Sequence, residues 1–175
     1  MSELKDDWWK TEQNDEVATK RKIWQPFADA LDGFDLDPAA GCEPTPIADE
    51  RYTKEDDGLT QPWYGNVWLN PPFGDKEPWY KRLAHQYERG DVDRAVAIGQ
   101  AGTDANWFQE YFSTADVLVF INGRDCYQQK GTENFASMLG LWNPTDKAKN
   151  IARSFGVVTE PVIQPDLQNS LEEYK

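Results

Sequence analysis

At 175 residues the chain is long enough for one domain with a substantial core and too short for two ordinary ones. Eight Trp, seven Tyr and eight Phe exclude a chain that is disordered throughout. The 31 acidic residues outnumber the 18 basic ones, for a net charge of -13, so the average surface field repels nucleic acid unless the protein works in molar salt, where the Debye length falls to about 3 Å.

Cys42 and Cys126 are too few for a disulfide framework and match no zinc spacing. No apolar run approaches the roughly 18 residues of a membrane span, and residues 1–10 contain no signal-peptide core. A reduced, soluble, cytoplasmic protein without a metal is expected.

Residues 1–18 are polar apart from Trp8 and Trp9 and read as an arm, followed by one domain over 19–163 and a tail over 164–175. Residues 20–31 place Ile23, Trp24, Phe27, Ala28 and Leu31 at helical spacing, with Thr19 as N-cap and Pro26 as a kink or restart. Lys20, Arg21 and Lys22 form the densest basic run, either a solvated turn or a phosphate contact. A short strand over residues 34–37 ends at Asp37, where Pro38, Ala39, Ala40 and Gly41 let a ligand approach the backbone closely. A loop or a poor helix follows over 42–48, which carries two prolines. The acidic knot Glu55-Asp56-Asp57-Gly58 lies about twenty residues beyond Asp37, where nucleotide folds place an acid against a ribose. A plain Asp-Gly turn is the alternative.

Val67, Trp68 and Leu69 form a strand that Pro71 and Pro72 end, because neither can donate to a ladder. Residues 78–89 read as a helix with an early Pro, carrying Lys81, His85 and Arg89 on its outer face. Strands over 94–99, 116–121, 137–142 and 157–163, and helices over 105–112 (capped by Asp104) and 144–155, complete the alternation. The expected fold is α/β, with a mostly parallel sheet and helices on both faces.

The Asn70-Pro71-Pro72-Phe73 loop carries the chemistry. At a strand's C-terminal edge, where open α/β sheets bind ligands, it sets an amide oxygen, a rigidly held carbonyl and a flat ring side by side. Two acceptors suit the two protons of an exocyclic amine, and the ring suits the base that bears it. Accepting both protons makes the amine's lone pair more available to an electrophile, so catalysis would rest on positioning rather than on an acid, a base or a covalent nucleophile.

Leu36-Asp37-Pro38-Ala39-Ala40, Tyr52-Thr53, Asp57-Gly58-Leu59, Trp63, Asn70-Pro71-Pro72-Phe73, Thr103-Asp104 with Trp107-Phe108, and Gly123-Arg124 together resemble the phage-encoded DNA N6-adenine methyltransferase (Dam-like) family, over roughly residues 14–143. The resemblance implies a Rossmann-like fold using S-adenosylmethionine, with DNA as partner and the target adenine flipped out. It implies that Asn70, Pro71, Pro72 and Phe73 are catalytic. Asp37, Pro38, Ala39, Ala40, Gly41, Asp57 and Thr19 would bind the cofactor. Family members usually have Thr-Pro at Thr19-Lys20, and more often Tyr at Phe73. A halophilic virus or archaeal host would account for the acidic surface. Two other readings fit the same residues: a silent nucleotide- or DNA-binding module, and a methyltransferase acting on cytosine N4, RNA or a glutamine amide.

Overall fold

The computed structural model describes residues 17–41, 45–129 and 131–161. Most of the expected arm and tail lies outside these residues, as do Trp8, Trp9 and Cys42. The described chain forms helix α1 (Arg21–Leu31), strands β1 (Phe34–Asp37), β2 (Ala48–Arg51) and β3 (Gly65–Leu69), and helix α2 (Glu77–Glu88). Strand β4 (Val92–Gln100), helix α3 (Asn106–Glu110), a 3-10 turn (Phe112–Thr114), strands β5 (Val117–Ile121) and β6 (Ser137–Trp142), helix α4 (Asp146–Phe155) and strand β7 (Gly156–Thr159) follow.

One seven-stranded sheet runs in the order β2-β1-β3-β4-β6-β5-β7. Its first half is parallel, with β1 between β2 and β3 and β4 beside β3. Its second half is antiparallel, with β6 between β4 and β5 and β7 on the outside of β5. The expectation of a mostly parallel sheet is therefore corrected. Only a 15-residue stretch whose described residues contain no α-helix separates β5 from β6, and such a connection suits antiparallel neighbours, whereas a parallel return calls for a crossover element.

Helices do lie on both faces. Along β4, Val96 and Ile98 face the layer of α1 and α4, while Ala95 and Ala97 face the layer of α2, α3 and the 3-10 turn. In β3, Trp68 joins the first layer, and Val67 and Leu69 the second. Burial on both sides is why these strands read as continuous apolar runs.

Local expectations fared unevenly. Thr19 does not cap α1; Lys20 occupies the N-cap without a side-chain bond, and Thr19 instead bridges Tyr127. Pro26 sits inside α1 without ending it. Asp104 does not cap α3, whose N-cap is Ala105, and the expected helix over 105–112 breaks into α3 and the 3-10 turn. Strand β2 went unforeseen because three of its four residues are exposed and charged. Thr145, not Pro144, begins α4, accepting from the Ala148 amide.

Candidate active site

After β1 the chain turns outward to β2, and after β3 it crosses to β4 on the opposite side. The adjacent C-terminal ends of β1 and β3 are thus a topological switch point, where two loops diverge and leave a crevice. A cavity of about 220 Å³ occupies it, lined by Pro38, Ala39 and Gly41 from the loop after β1, Asp57 and Gly58 from the loop between β2 and β3, and Pro72 and Asp75 from the loop after β3. Tyr52, Thr53, Lys54, Leu59 and Trp79 complete the wall. Five of the sequence-chosen residues (Pro38, Ala39, Gly41, Asp57 and Pro72) therefore meet in one cavity.

Backbone hydrogen bonds hold its walls together. Tyr52 N donates to the Asp37 carbonyl at 2.9 Å, and Ala40 N to the Tyr52 carbonyl at 3.0 Å. Asp37 and Ala40 lie beneath the wall, both buried. The Asp37 carboxylate accepts from Ala39 N at 3.2 Å and shapes the turn. The loop carrying Asp57 is tied by Tyr52 Oη to the Pro62 carbonyl (2.9 Å), Gln61 Nε2 to the Asp56 carbonyl (2.8 Å) and Trp63 Nε1 to the Gly58 carbonyl (2.8 Å). Gly58 lies so close to β1's loop that a Cβ there would stand 1.9 Å from the Pro38 carbonyl oxygen. That close approach is what the Asp-Gly pair supplies, and Asp57 itself takes the left-handed conformation (φ 51°).

The three acids of the knot divide their work. Asp56 accepts from Thr53 N and Oγ1, and Glu55 from Thr53 Oγ1. These bonds hold both carboxyls below their ordinary range, through the Thr53 hydroxyl first for Glu55 and the Thr53 amide first for Asp56. Asp57 alone lines the cavity, and no described residue bonds its carboxylate.

Asn70 follows β3. Its Nδ2 donates to the Val17 carbonyl at 2.8 Å, which sets the amide's orientation and leaves Oδ1 as an acceptor to which no described residue donates. Pro71 is buried and Phe73 half-buried. The Phe73 ring packs edge-on with Tyr127 (centroids 5.1 Å, 86°) and Phe135 (5.4 Å, 77°). Asn70, Pro71 and Phe73 thus stand beside the cavity rather than in its wall, and only Pro72 belongs to both.

Residues 17–20 run past this loop as an extended strap. Lys20 N donates to the Cys126 carbonyl and Gln128 N to the Ala18 carbonyl, each at 2.8 Å, and Lys20 and Lys22 both pair with Asp125. Those two ammonium partners hold the Asp125 carboxyl down at about 2. Thr19, expected to bind cofactor, is fully buried in the strap.

Behind the strap, Glu133 is 2 % exposed and its Oε1 accepts from the amides of Cys126 (2.8 Å) and Tyr127 (2.9 Å). Glu133, Val17, Asp75 and Trp79 escaped sequence reading as site residues. A lone acid in a loop carries no signal, and Val17 contributes only a carbonyl. Trp79, at helical spacing, read as core; it is half-buried and stacks on Trp63 (6.3 Å, 30°). His85 is exposed on α2, edge-on to Tyr111.

Comparison with known proteins places this arrangement. A DNA N-6-adenine-methyltransferase of Escherichia phage T1 is 30% identical over 91 residues, covering 50% of this chain and 37% of the phage protein. The chain thus spans little more than a third of that relative's length. The model of the family described as DNA N-6-adenine-methyltransferase (Dam) matches residues 6–162, which take in the strap, the cavity and the Asn-Pro-Pro-Phe loop alike. On that match the chain belongs to the DNA N-6-adenine-methyltransferase (Dam) family.

Proposed function

We propose that the protein is an adenine-specific DNA methyltransferase of Rossmann-like design, acting in the cytoplasm on the exocyclic N6 amine. The observation that carries this reading is the tethered Asn70 amide. With Nδ2 engaged by the Val17 carbonyl, Oδ1 can only present itself as an acceptor, next in chain to the Pro71 carbonyl. Two neighbouring acceptors on a proline-stiffened loop bind the two protons of an amine and leave its lone pair exposed. Phe73, half-buried, offers ring surface for the base; stacking of this kind is worth roughly 1 to 3 kcal/mol, against the few kcal/mol spent on flipping the base out of duplex DNA.

S-adenosylmethionine, when bound, supplies an electrophilic methyl group on a sulfonium. The cavity suits its nucleoside end: at about 220 Å³ it is smaller than the roughly 300 to 1,000 Å³ typical of whole-ligand pockets. It has the flat Trp79, a close-packed Gly58 floor and two carboxylates, of which Asp57, on the wall beside Gly58 and without a described donor, would accept from ribose hydroxyls. Pro38, Ala39 and Gly41 would frame it from β1, with Asp37 and Ala40 holding that turn in shape. Thr19 would act through the strap.

The test is transfer of labelled methyl from S-adenosylmethionine to duplex DNA, followed by mass spectrometry of the nucleosides. N6-methyladenine is expected. N4-methylcytosine as the product, or no methylated nucleoside at all, would overturn the reading.

A further inference from the structure

The Asn-Pro-Pro-Phe loop has three neighbours. Pro72 faces the cavity, Asn70 faces the strap, and Phe73 faces Tyr127 and Phe135. If the cavity holds the methyl donor, a base has to arrive from the side of the strap and the loop over residues 122–136. That side is also where the cations of this acidic chain gather. Lys20 and Lys22 bracket Asp125, while exposed Arg124 precedes Asp125 in the chain and exposed Arg21 lies between the two lysines, so two cations share one carboxylate and two more flank them in sequence. Arg21 bonds only the neutral Gln25, and no described carboxylate pairs with Arg21 or Arg124. The patch continues into an open groove between α1 and α4 that Arg21, Lys22 and Lys147 line, with Asp29 as its one acid.

We infer that Arg21 and Arg124, with Lys20 and Lys22, form the docking surface for the phosphates of the DNA strand that delivers the target adenine. The inference rests on the methyltransferase reading. Lys20 is three residues from Val17, whose carbonyl holds Asn70, and three residues of extended chain span at most about 11 Å. At about 3.4 Å of axial rise per nucleotide, the strap's backbone carries the patch no more than about three nucleotides from the flipped base. Because Lys20 N is also bonded to the Cys126 carbonyl, strand and catalytic amide are seated on one piece of backbone. The rival surface on α2 is less suited: Arg89 is paired with Asp91, and Lys81 rests over the Tyr111 ring at 5.8 Å.

The experiment is fluorescence anisotropy of a labelled duplex over a potassium chloride series. It compares the wild-type chain with Arg21→Gln/Arg124→Gln and with Lys81→Gln/Arg89→Gln. Each phosphate contact contributes about 0.9 to the slope of log affinity against log salt, so the first double variant should flatten the slope by roughly two, and the second should leave it unchanged. Calorimetry with S-adenosylmethionine should show the same affinity for all three proteins. An unchanged slope in Arg21→Gln/Arg124→Gln, or equal flattening in both variants, overturns the inference while leaving the methyltransferase reading intact. Wild-type protein that methylates no adenine overturns that reading, and this inference with it.

Discussion

Asn70 donates its amide nitrogen to the main-chain oxygen of Val17 across 2.8 Å, joining the loop after β3 to a strap fifty-three residues earlier in the chain. Removing the amide should separate catalysis from stability. Loss of one such polar group commonly lowers turnover by about 100- to 1,000-fold, while a single hydrogen bond contributes about 0.5 to 1.5 kcal/mol to folding. Asn70→Ala should therefore fold and bind S-adenosylmethionine normally while its turnover collapses. Asn70→Asp should also fail, because its carboxylate sets a second acceptor against the Val17 carbonyl. Single-turnover kinetics beside a thermal melt decides both; wild-type turnover in Asn70→Ala would end the mechanism.

Adjacent acids in the knot should give opposite results. A hydrogen bond to a charged group is worth about 1.5 to 3 kcal/mol, so Asp57→Asn should weaken cofactor binding roughly 10- to 150-fold with an unchanged melting temperature. Asp56→Ala removes the acceptor of two Thr53 bonds and should lower the melting temperature. Calorimetric titration and a melt on each variant check the pair, and a loss of affinity confined to Asp56→Ala would assign the ribose contact to the wrong acid.

Gly58→Ala puts a methyl group 1.9 Å from the Pro38 carbonyl oxygen, a backbone atom that cannot swing aside. Overpacking of this kind typically costs about 1 to 3 kcal/mol, and here it falls on the cavity wall. Both melting temperature and cofactor affinity should drop together, as measured by scanning calorimetry and titration.

The pairing of Asp125 with Lys20 and Lys22 has a defined pH window. Its carboxyl sits at about 2, below the ordinary aspartate value of about 3.9, so the folded state favours the charged form. The contribution is complete above the unfolded value and is lost as pH falls towards 2. The protection factors of the Lys20 and Gln128 amides, which bond across the strap, should be insensitive to this pair between pH 5 and 9, and should fall below about pH 4 or on adding salt. Asp125→Asn should show the lower protection throughout the range.

Glu133 offers a test of the strap's backing. Glu133→Leu orphans two amides, those of Cys126 and Tyr127, at about 1 to 3 kcal/mol each, offset in part by removing a buried carboxyl oxygen, Oε2, that has no partner among the described residues. A net loss of about 2 kcal/mol in urea unfolding is expected, with Glu133→Gln recovering much of it through its remaining carbonyl oxygen.

The parts legible in the sequence were those with local causes. Apolar runs announced β3, β4, β5 and β6 within a residue or two, and Pro71 and Pro72 marked where β3 must stop. Pro38, Ala39, Gly41 and Asp57, chosen for small size or charge at a strand's end, do line one cavity with Pro72. What escaped depended on distant partners. Strand direction beyond β4 is a property of connections, and β2 is stabilised by pairing with β1 despite its exposed charges. Thr19 resembles an N-cap by residue type, yet its bridge to Tyr127 across the chain prevailed over that local preference. Val17 contributes a carbonyl that every residue has, so no sequence pattern could single it out.

The sheet's two rims differ in a way that bears on self-association. Strand β2 closes one rim with exposed Asp49, Glu50 and Arg51, charges that discourage a second chain from adding its own strand. At the other rim β7 is four residues long and presents Val157, 70% exposed, beside Gly156. Among the described residues brevity is the main defence there, since a four-residue strand offers few unpaired backbone groups. Edge-to-edge aggregation on partial unfolding or at high concentration should therefore begin at β7, and Val157→Lys is the substitution that should suppress it without disturbing the loops that line the cavity.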